Sequence, residues 1–421
     1  MRSIILDPSV NRIYETDSYM KQVDTEVLDC IKNEDGIWVS LKDTIFFPEE
    51  GGQYADTGRI LCKTTSPDTP AGISGSGAYT CETGVCVVNV LDGIIIHSDE
   101  GQFSRIMYKV DSEIEPGTKV TLELDWDKRY SRMQNHSGEH IISGLIHNTY
   151  GLENVGFHLS DDEPVTLNMN GVLTYEQVAD LEREANEIIY ANLPITASYP
   201  TDKELESISY RSKLEIEGQV RLITIGDETR TVDICACCAP HVHRTGEIGL
   251  LKVINVTRYK GGVQIGILCG RRAFEYVDHQ QAILRKLSNS LTTHTDNVYN
   301  IVMNHIDEIN LLKAELSSYK ELQIQAIIEN LSAEEKPCIF TDAELSPTNM
   351  KNLFNLLCER FEGYVGLFVG DGSYRYYAGS RTLDSRELAS SLRAIGAKGG
   401  GSERMIQGQI TASRESILEL F

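Results

Sequence analysis

The sequence predicts a multidomain α+β protein, and three observations carry this prediction. Short apolar runs bounded by turn residues fill residues 1–128, as in a small β-barrel. Helical and strand patterns follow without regular alternation over residues 129–270, which is typical of α+β layers. Residues 271–335 contain no Gly or Pro and repeat apolar residues at spacings of three and four, like a coiled coil. Residues 336–421 predict a small C-terminal α/β domain.

The N-terminal strands are predicted from runs such as residues 36–41 and 85–90. Asp92-Gly93, followed by three isoleucines, predicts a hairpin turn. Ser, Thr, Gly and Pro dominate residues 63–84, which we expect to form a surface loop. Gly51-Gly52 then predicts either a tight turn between strands or a backbone that approaches a ligand closely.

The middle and C-terminal segments carry clearer helix signals. A helix over residues 128–150 should end at Gly151, and a second over 174–191 should begin at the N-cap residue Thr174. Strands are expected at 220–225, 250–256, 338–340 and 366–370, and further helices at 349–360 and 384–396. The seam of residues 271–335 could pack within a helical hairpin or in a homodimer.

Composition limits the class of protein. The formal net charge of −23 argues against non-specific coating of nucleic acid, although a local basic patch could still bind it. No apolar run reaches the ~18 residues of a transmembrane helix, so no membrane association is expected. The N-terminal residues do not resemble a signal peptide, and the scattered cysteines do not suggest a disulfide framework. We therefore expect a cytoplasmic protein.

Two pairs of candidate metal ligands stand out. His136 and His140 lie four residues apart on a predicted helix and therefore share a face. Cys237 and His241 repeat this spacing about a hundred residues later. Three imidazoles and one thiolate suit tetrahedral Zn²⁺, which prefers nitrogen and sulfur donors.

Other interpretations of these residues stay open. Residues 136–140 also fit the H-x-x-E-H protease motif with Glu139 as general base, but that leaves Cys237 and His241 without a role. A cysteine nucleophile, Cys235, Cys237 or Cys238, could use His241 as its base. A purely structural zinc would engage all four ligands, whereas a catalytic zinc would keep one position open.

Several motifs in order resemble the editing domain of alanyl-tRNA synthetase and the freestanding AlaX editing proteins in their long form. The resemblance covers nearly the whole chain. The motifs are TIFFPEEGGQYADTG (44–58), LDWDKR (124–129), HSGEH (136–140), VGFHL (155–159), CCAPHVHRTGEIG (237–249), GGVQI (261–265) and the glycine-containing tail 397–409, which is similar to a DHH-associated C-terminal domain.

This resemblance implies that residues 129–270 form a zinc-containing editing domain. It implies a hydrolase that deacylates mischarged alanine tRNA carrying serine, or glycine. Thr44 would contact the serine hydroxyl, His158 would line the pocket, and Gln53 would contact the substrate or brace the glycine turn. Zn²⁺, held by His136, His140, Cys237 and His241, is the single cofactor expected. A non-catalytic, zinc-stabilised tRNA-binding or oligomerisation protein is the alternative.

Two departures from the family pattern concern the site. The usual C-G-G-T-H motif is Cys-Cys-Ala-Pro-His here, and Glu50 stands where a third glycine is common. Both changes keep every ligand.

A tRNA partner requires local cations on this acidic chain, and two clusters are candidates. The first cluster lies beside the ligand helix and the second around the triple glycine. Separately, a homodimer through the helical segment or the C-terminal domain is expected. The predicted contacts are Lys128, Arg129, Arg132, Arg393, Lys398, Gly399, Gly400, Gly401 and Arg404.

Overall fold

The computed structural model describes residues 7–63, 73–74, 80–82, 85–96, 103–212, 219–330 and 336–421. The chain divides into two compact units, residues 1–282 and 283–421. Both contain helices and sheets, so the α+β class is confirmed, while the finer division into four segments stays a prediction. Within the described residues, no helix has the length and apolar character needed to cross a membrane.

A closed six-stranded barrel forms the first part of unit 1, which confirms the predicted barrel. Its strands pair in the order β5-β11-β2-β3-β9-β8, and β8 pairs with β5 to close the ring. Strand β7 adds to β8 outside the ring. The strands are β1 Asn11–Arg12, β2 Gln22–Asn33, β3 Gly36–Leu41, β4 Asp43–Thr44, β5 Gly58–Lys63, β6 Ile73–Ser74, β7 Thr80–Glu82, β8 Val85–Ile96, β9 Arg105–Val110, β10 Glu113–Ile114 and β11 Lys119–Leu124.

Alternating side chains fill the barrel, because successive residues of a strand point to opposite faces. Val39, Ile60, Val88 and Leu122 come from four strands and are fully buried in one cluster. Burying each such side chain contributes about 1.5–3 kcal/mol. The predicted loop of residues 63–84 lies mostly outside the described residues.

The hairpin predicted at Asp92-Gly93 is wrong. Strand β8 runs through both residues, with a shift of register against β9 between Val90 and Asp92. Gly93 is required here for space, since a Cβ at this position would lie 2.8 Å from the Tyr108 ring. The glycine therefore marks a close approach inside a bulged strand.

The second part of unit 1 surrounds one long helix. Helix α2, Trp126–Tyr150, begins at the Asp125 cap and ends at Gly151, whose φ is 65°. It packs against two sheets of order β12-β13-β18-β17 and β14-β15-β16 and against α3. The other elements are α1 Ile13–Thr16, β12 Asn154–His158, β13 Val165–Met169, α3 Tyr175–Tyr190, β14 Ile195–Ser198, α4 Asp202–Leu205, β15 Leu222–Gly226, β16 Thr231–Ala236, a 3-10 turn Thr245–Ile248, β17 Leu251–Tyr259 and β18 Gly262–Cys269.

The predicted helical segment of residues 271–335 contains two helices separated by a break. Helix α5, Gly270–Ser290, is followed by a break and by a 3-10 turn, Thr295–Asn297, before α6, Val298–Asn330. At the break Thr292 has φ of 51°, and the Ser288 hydroxyl donates to the Thr293 carbonyl. These local bonds end α5 without Gly or Pro. A coiled coil stays a prediction.

A five-stranded sheet of order β19-β20-β21-β23-β22 forms the C-terminal part of unit 2. The elements are β19 Cys338–Thr341, α7 Pro347–Arg360, β20 Val365–Asp371, β21 Ser373–Gly379, α8 Ser385–Ala394, β22 Lys398–Gly401, β23 Met405–Thr411 and α9 Arg414–Leu418. The triple glycine therefore lies in β22, an exposed edge strand, rather than in a loop.

Candidate metal centre

Helix α2 carries a buried polar face toward the two sheets. His136, Ser137, Glu139 and His140 are each at most 3% exposed, although all are polar. Burying such groups is costly unless each finds a partner. The long apolar core beside them, including Ile141, holds the helix in place.

The structure brings the two predicted ligand pairs together. One donor atom from each of His136, His140, Cys237 and His241 lies within 4.8 Å of the others. Cys237 Sγ is 3.6 Å from His136 Nε2 and 3.4 Å from His241 Nε2. Tetrahedral zinc with its usual bond lengths requires ligand atoms about 3.3–3.6 Å apart. The donor set and its spacing therefore fit Zn²⁺.

Each imidazole of the cluster is held through its Nδ1 atom. His136 Nδ1 lies 2.7 Å from Gln53 Oε1, and His241 Nδ1 lies 3.0 Å from Ser137 Oγ. His140 Nδ1 lies 3.1 Å from an Asp233 carboxylate oxygen. All three rings are thus oriented with Nε2 toward the centre, as supporting hydrogen bonds do in metal sites.

A second layer of bonds fixes Asp233. Arg211 Nε and one of its terminal nitrogens donate to the two Asp233 oxygens at 2.7 and 2.8 Å. This bidentate pair is buried, and it keeps the carboxylate ionised beside His140. Asp233, Arg211 and Ser137 were not among the residues predicted from the sequence. The position of Ser137, directly after the ligand His136 on a helix, was a signal for it.

Charges within the cluster favour one thiolate. Burial opposes ionisation of Cys237, yet His136 and the hydrogen bonds from His136 and His140 outweigh it and hold its pKa well below the usual range. Burial lowers the pKa of His241 to about 3, so this imidazole is neutral. Burial alone would lower the pKa of His140, but the hydrogen bond to the Asp233 carboxylate helps to raise it well above its usual value.

The neighbouring cysteines stay protonated thiols. Burial raises the pKa of Cys235 to about 11, and burial with the nearby Glu50 raises that of Cys238 well above its usual value. A thiol that stays protonated is a poor nucleophile. Cys237, the thiolate of the group, faces three imidazoles as a ligand would, which disfavours a cysteine nucleophile.

Glu139 is placed against the cluster rather than in solvent. Its Oε1 accepts hydrogen bonds from Ser143 at 2.7 Å and from Asn154 at 2.6 Å. Its Oε2 lies 3.8 Å from His140 Nε2. The carboxylate thus contributes negative charge beside the ligands.

The glycine turn closes one side of the centre. Glu50 and Gln53 exchange backbone hydrogen bonds across Gly51 and Gly52, whose φ angles are 63° and 88°. A Cβ on Gly52 would lie 2.5 Å from the Phe157 carbonyl oxygen. The segment is therefore both a tight turn and a close backbone approach, and it carries Gln53 to His136.

The three predicted pocket residues occupy different surroundings. Gln53 is fully buried at His136. Thr44 is also fully buried, but its hydroxyl donates to Tyr108 at 2.9 Å and accepts from the Phe46 amide at 3.1 Å. His158 is exposed and packs edge-on against Tyr54. The preceding residue, Phe157, packs on the His136 ring, so His158 points to the opposite face of its strand.

Two of the three predicted cations beside the ligand helix are buried. Arg129 is fully buried, pairs with Asp56 and donates to the carbonyl oxygens of Ile45 and Ser18. Arg132 is 4% exposed and donates twice to Asp161. Both guanidinium groups are occupied by protein acceptors, and these bonds join the barrel to the helix. Neither side chain is therefore available as an RNA contact.

The remaining predicted cations are exposed. Lys128 lies at the start of α2, 3.7 Å from an Asp125 oxygen. Arg393, Lys398 and Arg404 are exposed around β22, and Arg393 donates to the Gly399 carbonyl. Gly400 and Gly401 are exposed on the same edge strand.

Sequence comparison relates part of this metal-centre region to a tRNA synthetase module. Residues 220–264, which include Cys237 and His241, match the threonyl and alanyl tRNA synthetase second additional domain. Over 98% of its length the chain is 26% identical to alanyl-tRNA editing protein AlaX-L of Pyrococcus horikoshii, covering 97% of that protein. The predicted resemblance to the alanyl-tRNA editing proteins is thereby confirmed.

The chain is also similar to part of longer proteins. The chain is 28% identical over 98% of its length to the alanine–tRNA ligase of Pyrobaculum aerophilum, and 26% identical over 96% to that of Pyrococcus abyssi. It spans 44% and 42% of these ligases, less than half of each.

Proposed function

We propose that this protein hydrolyses the ester that links a wrong amino acid to alanine tRNA, with serine as the preferred target and glycine as a second. The observation that carries the proposal is the cluster of four donors with every imidazole oriented through Nδ1. Full-length similarity to an alanyl-tRNA editing protein supports the substrate class. Zn²⁺, cytoplasmic location and tRNA as partner belong to the same proposal.

His136, His140, Cys237 and His241 would hold the zinc ion. Such an ion supplies Lewis acidity toward an ester carbonyl or a bound water. The chain's own contribution includes Gln53, whose Oε1 orients His136. Its Nε2 is buried and has no hydrogen-bond partner among the described residues. Because an unpaired buried donor costs about 1–3 kcal/mol, we assign this Nε2 to a substrate oxygen.

Discrimination against alanine requires a group that binds the serine hydroxyl. A site built to hydrogen-bond a hydroxyl rejects a substrate that lacks it more strongly than size alone can. We keep Thr44 for this role, with a condition set by its surroundings. Its hydroxyl already bonds Tyr108 and Phe46, so a serine hydroxyl would have to replace the Tyr108 bond.

The direct test compares two esters. Zinc-loaded protein should release serine from seryl-tRNA(Ala) and leave alanyl-tRNA(Ala) intact. Cys237→Ala should lose both zinc and activity, whereas Cys358→Ala, in unit 2, should keep both. If fully zinc-loaded protein does not hydrolyse the seryl ester, the proposed hydrolase activity is refuted.

The non-catalytic alternative has one observation in its favour. Four protein donors surround the centre, and a closed four-ligand site is typical of structural zinc. In that case the zinc-loaded protein would bind tRNA without hydrolysing either ester. Zinc removal would then lower the thermal midpoint but change no reaction.

We also propose a homodimer through α6. Many large apolar side chains of this helix are at least 38% exposed, among them Val302, Ile309, Leu316 and Tyr319. Their spacing of seven and three residues places them on one stripe. Leu316→Glu should convert a dimer to a monomer in light scattering. A wild-type chain that is monomeric at micromolar concentration would contradict the proposal.

A further inference from the structure

An aromatic stack lies on the surface beside the candidate metal centre. The rings of Tyr19 and His243 are stacked, with centroids 4.1 Å apart and planes 25° apart. Tyr19 also contacts Trp126 at 5.3 Å and Tyr130 at 6.4 Å, and these two rings are themselves stacked. None of the roles assigned so far uses this group.

The stack is held rigidly in place. The Tyr19 hydroxyl donates to the Glu247 carboxylate, and Tyr19 Oη accepts from the His243 amide at 3.3 Å. The same carboxylate accepts from the His243 and Arg244 amides at 3.1 and 3.0 Å. The Glu247 carboxylate is thus occupied by these donors, and its hydrogen bond to Tyr19 holds the ring in position before any ligand binds.

The geometry leaves one aromatic face open. His243 is exposed, although one face of its imidazole lies on Tyr19. Among the described residues, Tyr19 supplies the ring contact to this imidazole, and we take the opposite face as the available one. The far face of Trp126, in contrast, is covered by the Lys21 ammonium, 4.2 Å from the ring centroid. Lys21 is itself exposed and brings a cation to the edge of the stack.

The stack is coupled to the metal centre through the chain. His243 follows the ligand His241 by two residues, a spacing of about 7 Å in an extended backbone. Ser18, the residue before Tyr19, donates from its hydroxyl to the His241 carbonyl at 3.0 Å. A group bound on His243 would therefore lie close to the ligand His241.

From this arrangement we propose that His243, backed by Tyr19, is a stacking platform for an unpaired base at the 3′ end of an RNA substrate. Flat purine or pyrimidine rings match an open imidazole face, and stacking is sequence-tolerant. It also suits a chain of net charge −23, because stacking needs no broad positive field. The proposal rests on the proposed function in taking RNA as ligand, but it does not require hydrolysis.

The test uses an uncharged RNA hairpin that carries an acceptor stem and an unpaired 3′ end. Each unpaired nucleotide is replaced in turn by an abasic ribose, which removes the base and keeps its phosphate. For zinc-loaded wild-type protein, one replacement should weaken binding about 5- to 150-fold, the range for loss of one stacked base.

Two variants and a control make this outcome specific. His243→Ala should make the dissociation constant insensitive to that abasic replacement, whereas His243→Phe, which keeps a flat ring, should retain the sensitivity. His294→Ala, at an exposed histidine of the helical break, should behave as wild type. Zinc content should be equal in all four proteins.

Two results would contradict the proposal that His243 is a stacking platform. One is wild-type binding that ignores every abasic replacement, and the other is His243→Ala binding that keeps the full effect. The proposed hydrolysis is judged separately by ester turnover. If the protein binds the base through His243 but cleaves no ester, the stacking proposal stands and the proposed hydrolase activity is wrong.

Discussion

Gln53 Oε1 lies 2.7 Å from His136 Nδ1, across 83 residues of sequence. The contact joins a turn that leaves the barrel to the first ligand of the candidate metal centre. It leaves Gln53 Nε2 as a buried donor without a partner among the described residues. One side chain thus has two assignable tasks, ligand orientation and substrate contact.

Gln53→Ala should separate these tasks. Loss of the bond that orients His136 should weaken zinc binding about 10- to 100-fold. Loss of the Nε2 donor should reduce kcat even when zinc is saturating. Metal competition and single-turnover deacylation measure the two effects. Gln323→Ala, at an exposed position of α6, is the control, and an unchanged kcat at full zinc occupancy would remove Gln53 from substrate contact.

Asp233→Asn should weaken the centre through His140. The substitution keeps the volume but leaves Arg211 with a neutral partner in a buried site. We expect a loss of about 3–5 kcal/mol in unfolding free energy and lower zinc affinity. Denaturant titration with and without zinc measures both. Asp296→Asn, at a side chain 90% exposed, should change neither quantity.

Zinc affinity should rise with pH. Without metal the pKa of His140 is raised above its usual value, because the bond to the Asp233 carboxylate works against the effect of burial. Since Asp233 favours the protonated form of His140, zinc competes with a proton for this ligand. Below the raised pKa, apparent affinity should increase about tenfold per pH unit. Chelator competition between pH 6 and 8 tests this, and a flat profile would mean that no proton is released.

Arg129→Met should destabilise the fold without touching RNA. The substitution removes the Arg129 partner of the buried Asp56 carboxylate and of two backbone carbonyls. We expect the free energy of unfolding to fall by about 3–5 kcal/mol. Binding of tRNA per folded molecule should stay at the wild-type value. Arg381→Met, 61% exposed at its side chain, is the control for stability. Weaker tRNA binding by the folded variant would restore Arg129 as a contact.

Lys398→Glu should act in the opposite way. Lys398 is exposed on the edge strand, so its loss should leave stability within about 0.5 kcal/mol. We expect weaker tRNA binding and a salt dependence reduced by about one unit in the log–log slope. Lys203→Glu, in the exposed α4, is the matched charge control. Equal effects of both substitutions would point to net charge rather than to a specific contact.

Local patterns predicted the barrel, the helix that ends at Gly151 and the helix capped by Thr174, because caps and apolar periodicity act over short distances. The ligand pairs were also visible, since i and i+4 spacing is local. Partners such as Asp233 come from another strand 93 residues away, which no local pattern reveals. Gly93 shows the converse error, since a glycine needed for a packed Tyr108 has the sequence signature of a turn.

Arg129 stands seven residues, or about two helical turns, before His136 on α2. From there its guanidinium binds Ser18, Ile45 and Asp56, three separate segments at the barrel end. Arg129 therefore connects the barrel to the ligand helix, and we expect the two to unfold together. Hydrogen exchange in the barrel strands should slow when zinc binds, although the ion would touch none of them.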